Sequence, residues 1–130
     1  MIIDTLNKLQ NIVTGSRATD DQIEHAEKEL GLKFSPEYIG YIKRFGVFSA
    51  SNIELTGITD IDRLNVVSAT KRERILNPKI PNDMYVIENL AIDGFVVLQD
   101  ALGVIYYISP CYEPKKMFES LEEYIEVTRV

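Results

Sequence analysis

Thr19-Asp20-Asp21-Gln22-Ile23-Glu24-His25-Ala26-Glu27-Lys28-Glu29-Leu30-Gly31, followed at once by Phe34-Ser35-Pro36-Glu37-Tyr38, decides the reading of this chain. Thr19 and Gln22 have the spacing of a capping box, in which a hydroxyl and a side-chain amide satisfy each other's free backbone N–H groups. Asp20 and Asp21 suit the positive end of the helix dipole. Ile23, Ala26 and Leu30 line one face, and Gly31 stops the helix. Ser35 then caps a second helix, with Pro36 pre-set at its first position. Tyr38, Ile42 and Phe45 share its inner face, and Gly46 closes it.

Upstream, Ile2, Leu6, Leu9 and Val13 fall at helical spacing and predict a helix over 2–13. Downstream, 53–55 reads as a short strand and 65–76 as a helix with Val66, Val67, Thr70 and Ile75 inside. Asn77-Pro78 ends it. Three strands follow, at 84–88, 95–99 and 104–108, with turn signals at Asp93-Gly94 and Asp100–Gly103. Ser120–Glu123 repeats the capping-box pattern and opens a last helix whose buried face is Leu121, Tyr124 and Ile125. Helices, then a meander, then a helix predict an α+β fold. The sheet is expected to be mainly antiparallel, of about four to six strands, with the C-terminal helix packed on it. Residues 1–130 read as one domain.

Bulk properties narrow the function. The 130 residues carry a net charge of −6, one Cys and one His. A lone Cys111 forms no internal disulfide, and a Cys/His four-ligand metal site has too few ligands. No cofactor or metal is expected. The start at Met1-Ile2-Ile3-Asp4 does not read as a signal peptide. The longest apolar run, 95–98, is far short of a membrane span. These readings predict a cytoplasmic protein. The acidic balance disfavours general nucleic-acid binding.

The ordered set Ala26-Glu27 … Leu30-Gly31 … Ser35-Pro36-Glu37-Tyr38 … Phe45-Gly46, with Gly94–Leu98, Val104–Tyr107 and Ser120–Ile125 behind it, resembles the SUKH superfamily. That superfamily groups bacterial immunity proteins with fungal cell-wall synthesis regulators. Val47 stands where a second glycine is usual and Leu121 where phenylalanine is, changes that keep the apolar or turn character. The resemblance implies a binder that neutralises a cognate toxin domain in the producing cell. A regulatory or scaffold module akin to the fungal members is the alternative.

Each chemical candidate has a plainer reading beside it. His25 lacks a sequence-visible nucleophile and reads as a surface or boundary histidine. Cys111 reads as a semi-buried, unreactive thiol. Asp60/Asp62 and Glu122/Glu123 are sequence neighbours, whereas glycosidase chemistry needs carboxyls facing across a cleft. No enzymatic activity is expected. Arg63, Lys71, Arg72, Arg74 and Lys79 outnumber the three acids between 60 and 80, leaving −8 for the rest of the chain. This 63–79 segment is the candidate for a nucleic-acid surface, against a solvated helix face.

The acids give the stronger lead. Asp20, Asp21 and Glu24 on the first capped helix, with Glu113, Glu122 and Glu126 near the last, make an acidic face if the two helices adjoin. Such a face steers a basic partner, and toxin domains that attack nucleic acids are basic. Tyr107 and Tyr112 are the candidate aromatic anchors. The expected partner is therefore a protein toxin, basic and of the nuclease kind, with neither membrane nor nucleic acid.

Overall fold

The computed structural model describes residues 1–92 and 94–130. Among the described residues, five α-helices and seven strands follow in the order α1 (Ile2–Asn7), β1 (Val13–Thr14), α2 (Asp20–Leu30), α3 (Pro36–Phe45), β2 (Phe48–Ala50), β3 (Ile53–Leu55), α4 (Val66–Leu76), β4 (Tyr85–Asn89), β5 (Val96–Gln99), β6 (Ile105–Ile108), β7 (Lys115–Phe118) and α5 (Leu121–Thr128). A single 3-10 turn at Asp62–Leu64 leads into α4. The strands form two antiparallel sheets, β1-β2-β3 and β4-β5-β6-β7. Thr56 N, just past β3, donates to Ile87 O of β4 at 2.9 Å and joins them. The α+β expectation holds, with the strands divided over two sheets.

The larger sheet is covered on both faces, as strand alternation allows. Tyr85, Ile87, Val97 and Ile105 face a main core shared with residues of α1, α2, α3 and α5. Val86, Val96, Leu98 and Ile108 face a smaller core closed by Ala69 of α4. Alternation alone would send Glu88 to the face of Val86. A register shift between Val86 and Glu88 turns it instead against Tyr124 of the main core, which is what a bulge does to a strand.

The caps form as the sequence predicts for α2 and α3. Thr19 and Gln22 make both capping-box bonds, and Gly31 takes a left-handed φ of 67°. Ser35 caps α3. Gly46 is required for two reasons: its φ is 71°, and a Cβ there would meet Ser16 O at 1.9 Å.

Four expectations need correction. The first helix ends at Asn7, not Val13. Asn11 reverses the chain at φ 58°, and Val13 and Thr14 pair with Ser49 and Phe48. Sheet pairing overrides helical spacing there. On α4, Ile75 is 81% exposed, while Ala69 takes the inner place. Ile75 lies nine residues from Val66, half a turn round the helix axis at 3.6 residues per turn. At α5, Ser120 accepts from Glu123 N, but Glu123 returns its carboxylate to Glu119 N rather than Ser120 N. Cys111 is exposed rather than semi-buried. The Asp93-Gly94 turn signal falls partly outside the described residues; Gly94 takes a φ of 74°. Among the described residues, no helix is long and apolar enough to cross a membrane.

Candidate functional site

The residues that carried the sequence reading converge inside the molecule. Ser35 Oγ caps Tyr38 N at 3.0 Å and donates to Gln99 Oε1 at 3.1 Å. Tyr85 OH accepts from Ser35 N at 2.9 Å and donates to the same Gln99 oxygen at 2.8 Å. Gln99 Nε2 donates to Glu37 Oε1 and to Gly103 O, both at 3.0 Å. Glu37 then reaches the start of α5, accepting from Leu121 N at 2.7 Å and Glu122 N at 3.0 Å. One carboxylate on α3 thus caps another helix, satisfying two of its free N–H groups.

Tyr38 and Tyr41 complete the node. Thr56 Oγ1 spends its one proton on Val86 O at 2.7 Å, so the 2.9 Å contact with Tyr38 has Tyr38 as donor. Tyr41 OH donates to Thr56 O at 2.8 Å. Burial pushes the hydroxyls of Tyr38, Tyr41 and Tyr85 well above the usual phenol range, so all three remain protonated donors. Phe34 packs against both Tyr38 and Tyr85, with centroids 5.1 and 4.8 Å away. These groups are occupied with one another, and the chemistry available to them is structural.

A second polar node locks the C-terminus. Glu88 is 4% exposed. Tyr124 OH donates to Glu88 Oε1, and Arg129 Nη2 donates to the same oxygen at 3.1 Å. The Arg129 guanidinium also stands 5.4 Å over the Tyr124 ring. Desolvation holds the Glu88 carboxyl above the usual carboxylate range, although Tyr124 and Arg129 pull the other way. A buried acid is a familiar sign of catalysis. Here both partners are donors that tie α5 to β4.

The surface candidates are distributed. α2 packs on α4, whereas α5 packs on α1 and β7. Asp20 pairs with Lys43 at 2.7 Å. Glu122 pairs with the N-terminal amine, and Glu126 accepts from Thr5 at 3.0 Å. Asp21 and Glu24 are exposed on α2. Tyr112 and Glu113 are exposed in the β6–β7 loop, where Glu113 lies 3.8 Å from Lys79. Tyr107 is half-buried, edge-on to Phe118 and Tyr124. His25 is exposed beside Glu29.

The basic segment is largely neutralised. Arg63 makes a two-pronged bond with Glu54. Lys71 pairs with Glu29 at 2.8 Å and Arg72 lies 3.6 Å from Asp62. Arg74 Nη2 donates to Leu30 O and Asn82 O, tying α4 to the end of α2. Burial lowers its pKa.

Sequence reasoning missed Thr56, Gln99, Glu88 and Arg129. Only Glu88 carries a local signal, a charge directly after the apolar run Tyr85-Val86-Ile87. The others act mainly through distant partners: Thr56 with Tyr38 and Val86, Gln99 with Ser35 and Glu37, and Arg129 with Glu88.

The SUKH family described as SMI1-KNR4 cell-wall matches residues 1–128. The chain belongs to this SUKH family. The match spans every helix and strand described above. A crystal structure of a protein from Pseudomonas syringae pv. tomato is similar to the SUKH chain. The TM-score is 0.79 at 13% identity, over 98% of this chain and 95% of that one. At that identity the likeness shows the fold. No curated protein matches the chain.

Proposed function

We propose that this SUKH domain is a stoichiometric protein binder, an immunity protein that neutralises a cognate toxin domain in the cytoplasm of the producing cell. The observation that carries the reading is the fate of the family motif. Ser35, Glu37 and Tyr38 are spent on caps and internal hydrogen bonds. A family whose shared residues build the scaffold leaves its surface free to differ, and a surface that differs suits specific recognition. No bond-breaking step is needed for that role.

The acids supply steering. Asp21 and Glu24 with Glu113 lie exposed in a chain of net charge −6. Asp20, Glu122 and Glu126 add to the field while held by local partners. A basic, nuclease-like toxin domain meets such a field at an enhanced rate. Tyr112, which is 68% exposed, is the aromatic anchor best placed for contact. Tyr107 contributes its free edge.

Co-expression with a toxin domain from an adjoining reading frame tests the proposal. Restored growth and recovery of a one-to-one complex are the expected result. Failure of both with the neighbouring toxin overturns it.

The family's cell-wall description favours a second reading, a regulatory scaffold with several host partners. Gene neighbourhood separates the two, since a toxin reading frame alongside is expected only for immunity. Nucleic-acid binding through 63–79 has less support, because Arg63, Lys71 and Arg72 already face carboxylates.

A further inference from the structure

The β5–β6 hairpin ends in an apolar tip that is firmly held and left in water. Asp100 Oδ1 accepts from Leu102 N and Val104 N, and Asp100 Oδ2 accepts from Tyr106 OH, all at 3.0 Å. Gln99 Nε2 holds Gly103 O and, with its other proton, Glu37. The polar node built on the family motif therefore also grips this turn. Leu102 at the tip is 87% exposed. A lone exposed leucine is ordinary. One whose backbone is already fixed by several bonds loses little further freedom when a partner covers it.

The surface beside the tip is a part of the sheet that the helices leave uncovered. Tyr106 of β6 stands opposite Lys116 of β7, on the face that carries the smaller core. α4 packs on β4, and Ile80 and Met84 extend that core. Toward β7 the cover runs out, since Tyr106 is half-buried and Lys116 is exposed. Asp100 touches both Leu102 N and the Tyr106 hydroxyl, so tip and strand form one continuous surface. Its charge is lopsided. Partial burial, then the carboxylates of Asp100, Asp83 and Glu119, hold the Tyr106 hydroxyl above the usual phenol range. Lys116 is already paired with Glu119 at 2.7 Å. Lys115 falls opposite Tyr107 and, by strand alternation, on the other side of the sheet. Three carboxylates thus share this surface with one committed ammonium.

We infer that this hairpin end is the toxin-binding face: Leu102 enters an apolar socket of the toxin domain, and Asp83, Asp100 and Glu119 meet basic side chains at its rim. The inference rests on the immunity reading and locates its interface. Charge complementarity selects the occupant, because this surface repels an acidic partner and attracts a basic one. Leu102 supplies the centre that loses its water, and Tyr106, joined to it through Asp100, supplies an aromatic contact. The four residues of β6 span roughly 13 Å at about 3.3 Å each. The loop that carries Tyr112, at the far end of β6, therefore falls within one interface of about 800 Å² per partner. Burial of Leu102 slows dissociation, while the acids act on association.

The probe is a toxin domain from an adjoining reading frame, purified as an inactive variant and bound to the whole SUKH chain in kinetic measurements. Leu102→Lys sets a cation against a basic rim and is expected to raise the dissociation rate roughly tenfold or more. Asp83→Asn with Glu119→Gln is expected to lower the association rate severalfold and to weaken its dependence on salt. Asp21→Asn with Glu24→Gln, on α2, is expected to leave dissociation unchanged. These five positions are exposed, so the variants fold, and circular dichroism verifies it. Wild-type dissociation in Leu102→Lys, or wild-type association in the Asp83 and Glu119 variant, overturns the hairpin face and leaves the immunity reading standing. Faster dissociation in the α2 variant alone does the same. A wild-type chain that does not bind the toxin domain overturns the reading, and this face with it.

Discussion

α3 and α4 both touch β4, from opposite faces, and they use their side chains in opposite ways. The side of α3 that meets the strand is full. Tyr38 stands 5.0 Å from Tyr85, and Ser35, Glu37 and Tyr38 each end in a hydrogen bond. α4 makes one such tie, Val86 N donating to Thr70 Oγ1 at 3.0 Å, and beside it leaves a cavity of about 290 Å³ lined by Ala69, Glu73 and Val86. The filled contact specifies the fold. The unfilled one is walled in part by exposed ion pairs, Arg63 with Glu54 and Arg72 close to Asp62. The difference predicts that substitutions on the inner side of α3 unfold the chain, while substitutions on the outer side of α4 cost little stability.

Tyr38→Ala is the strongest test on the α3 side. It empties a fully buried aromatic site and strands the hydroxyl of Thr56 without its Tyr donor. A loss of about 3–5 kcal/mol is expected from comparable truncations, measured by urea denaturation. Glu37→Ala comes next. It removes the acceptor for Leu121 N, Glu122 N and Gln99 Nε2 together, and a cost of about 1–3 kcal/mol is expected. Glu37→Gln restores one acceptor oxygen and should recover part of it. A Glu37→Ala variant as stable as wild type would show that α5 does not need its cap from α3.

Glu88 gives a smaller effect, with a recognisable sign. Burial raises its folded pKa above the unfolded value, so between those two values the folded state holds more protons. Its contribution is therefore complete below the unfolded carboxylate range and is lost as pH rises through the folded pKa. Glu54 runs the other way, since Arg63 lowers its pKa and its contribution disappears on acidification. Glu88→Gln should remove the first trend: the stability of wild type relative to the variant falls as pH is raised from about 4 to 7. Thermal melts across that range provide the measurement, and a difference that rises with pH would contradict the desolvation account.

The contrast between the helices also explains what the sequence disclosed. The caps at Thr19 and Ser35 and the stops at Gly31 and Gly46 are local: each rests on residues within a few positions and is legible directly. The core face of α5 is equally legible from spacing. β1 and β2 were hidden because Val13-Thr14 and Phe48-Ser49 become strands only by meeting each other. β7 was hidden because Lys115 and Lys116 read as surface. Glu37 was quoted within a motif, yet its task is performed 84 residues away at Leu121. The outward face of α4 leaves the least trace of all. Ile75 fits an apolar helical pattern as well as any core residue does, and only the phase of α4 shows that it points to water.

Ile75→Ser therefore has the smallest expected effect on stability and divides the two helices most sharply. The side chain is 81% exposed, so little apolar area is lost, and surface changes of this kind fall within about 0.5 kcal/mol. Serine lowers helix propensity slightly near the end of α4, which acts in the same small range. An unchanged melting temperature is the expected result. A substantial loss of stability would instead mean that Ile75 is held against the molecule in solution. In that case α4 would belong with α3, as a helix whose side chains are already spent.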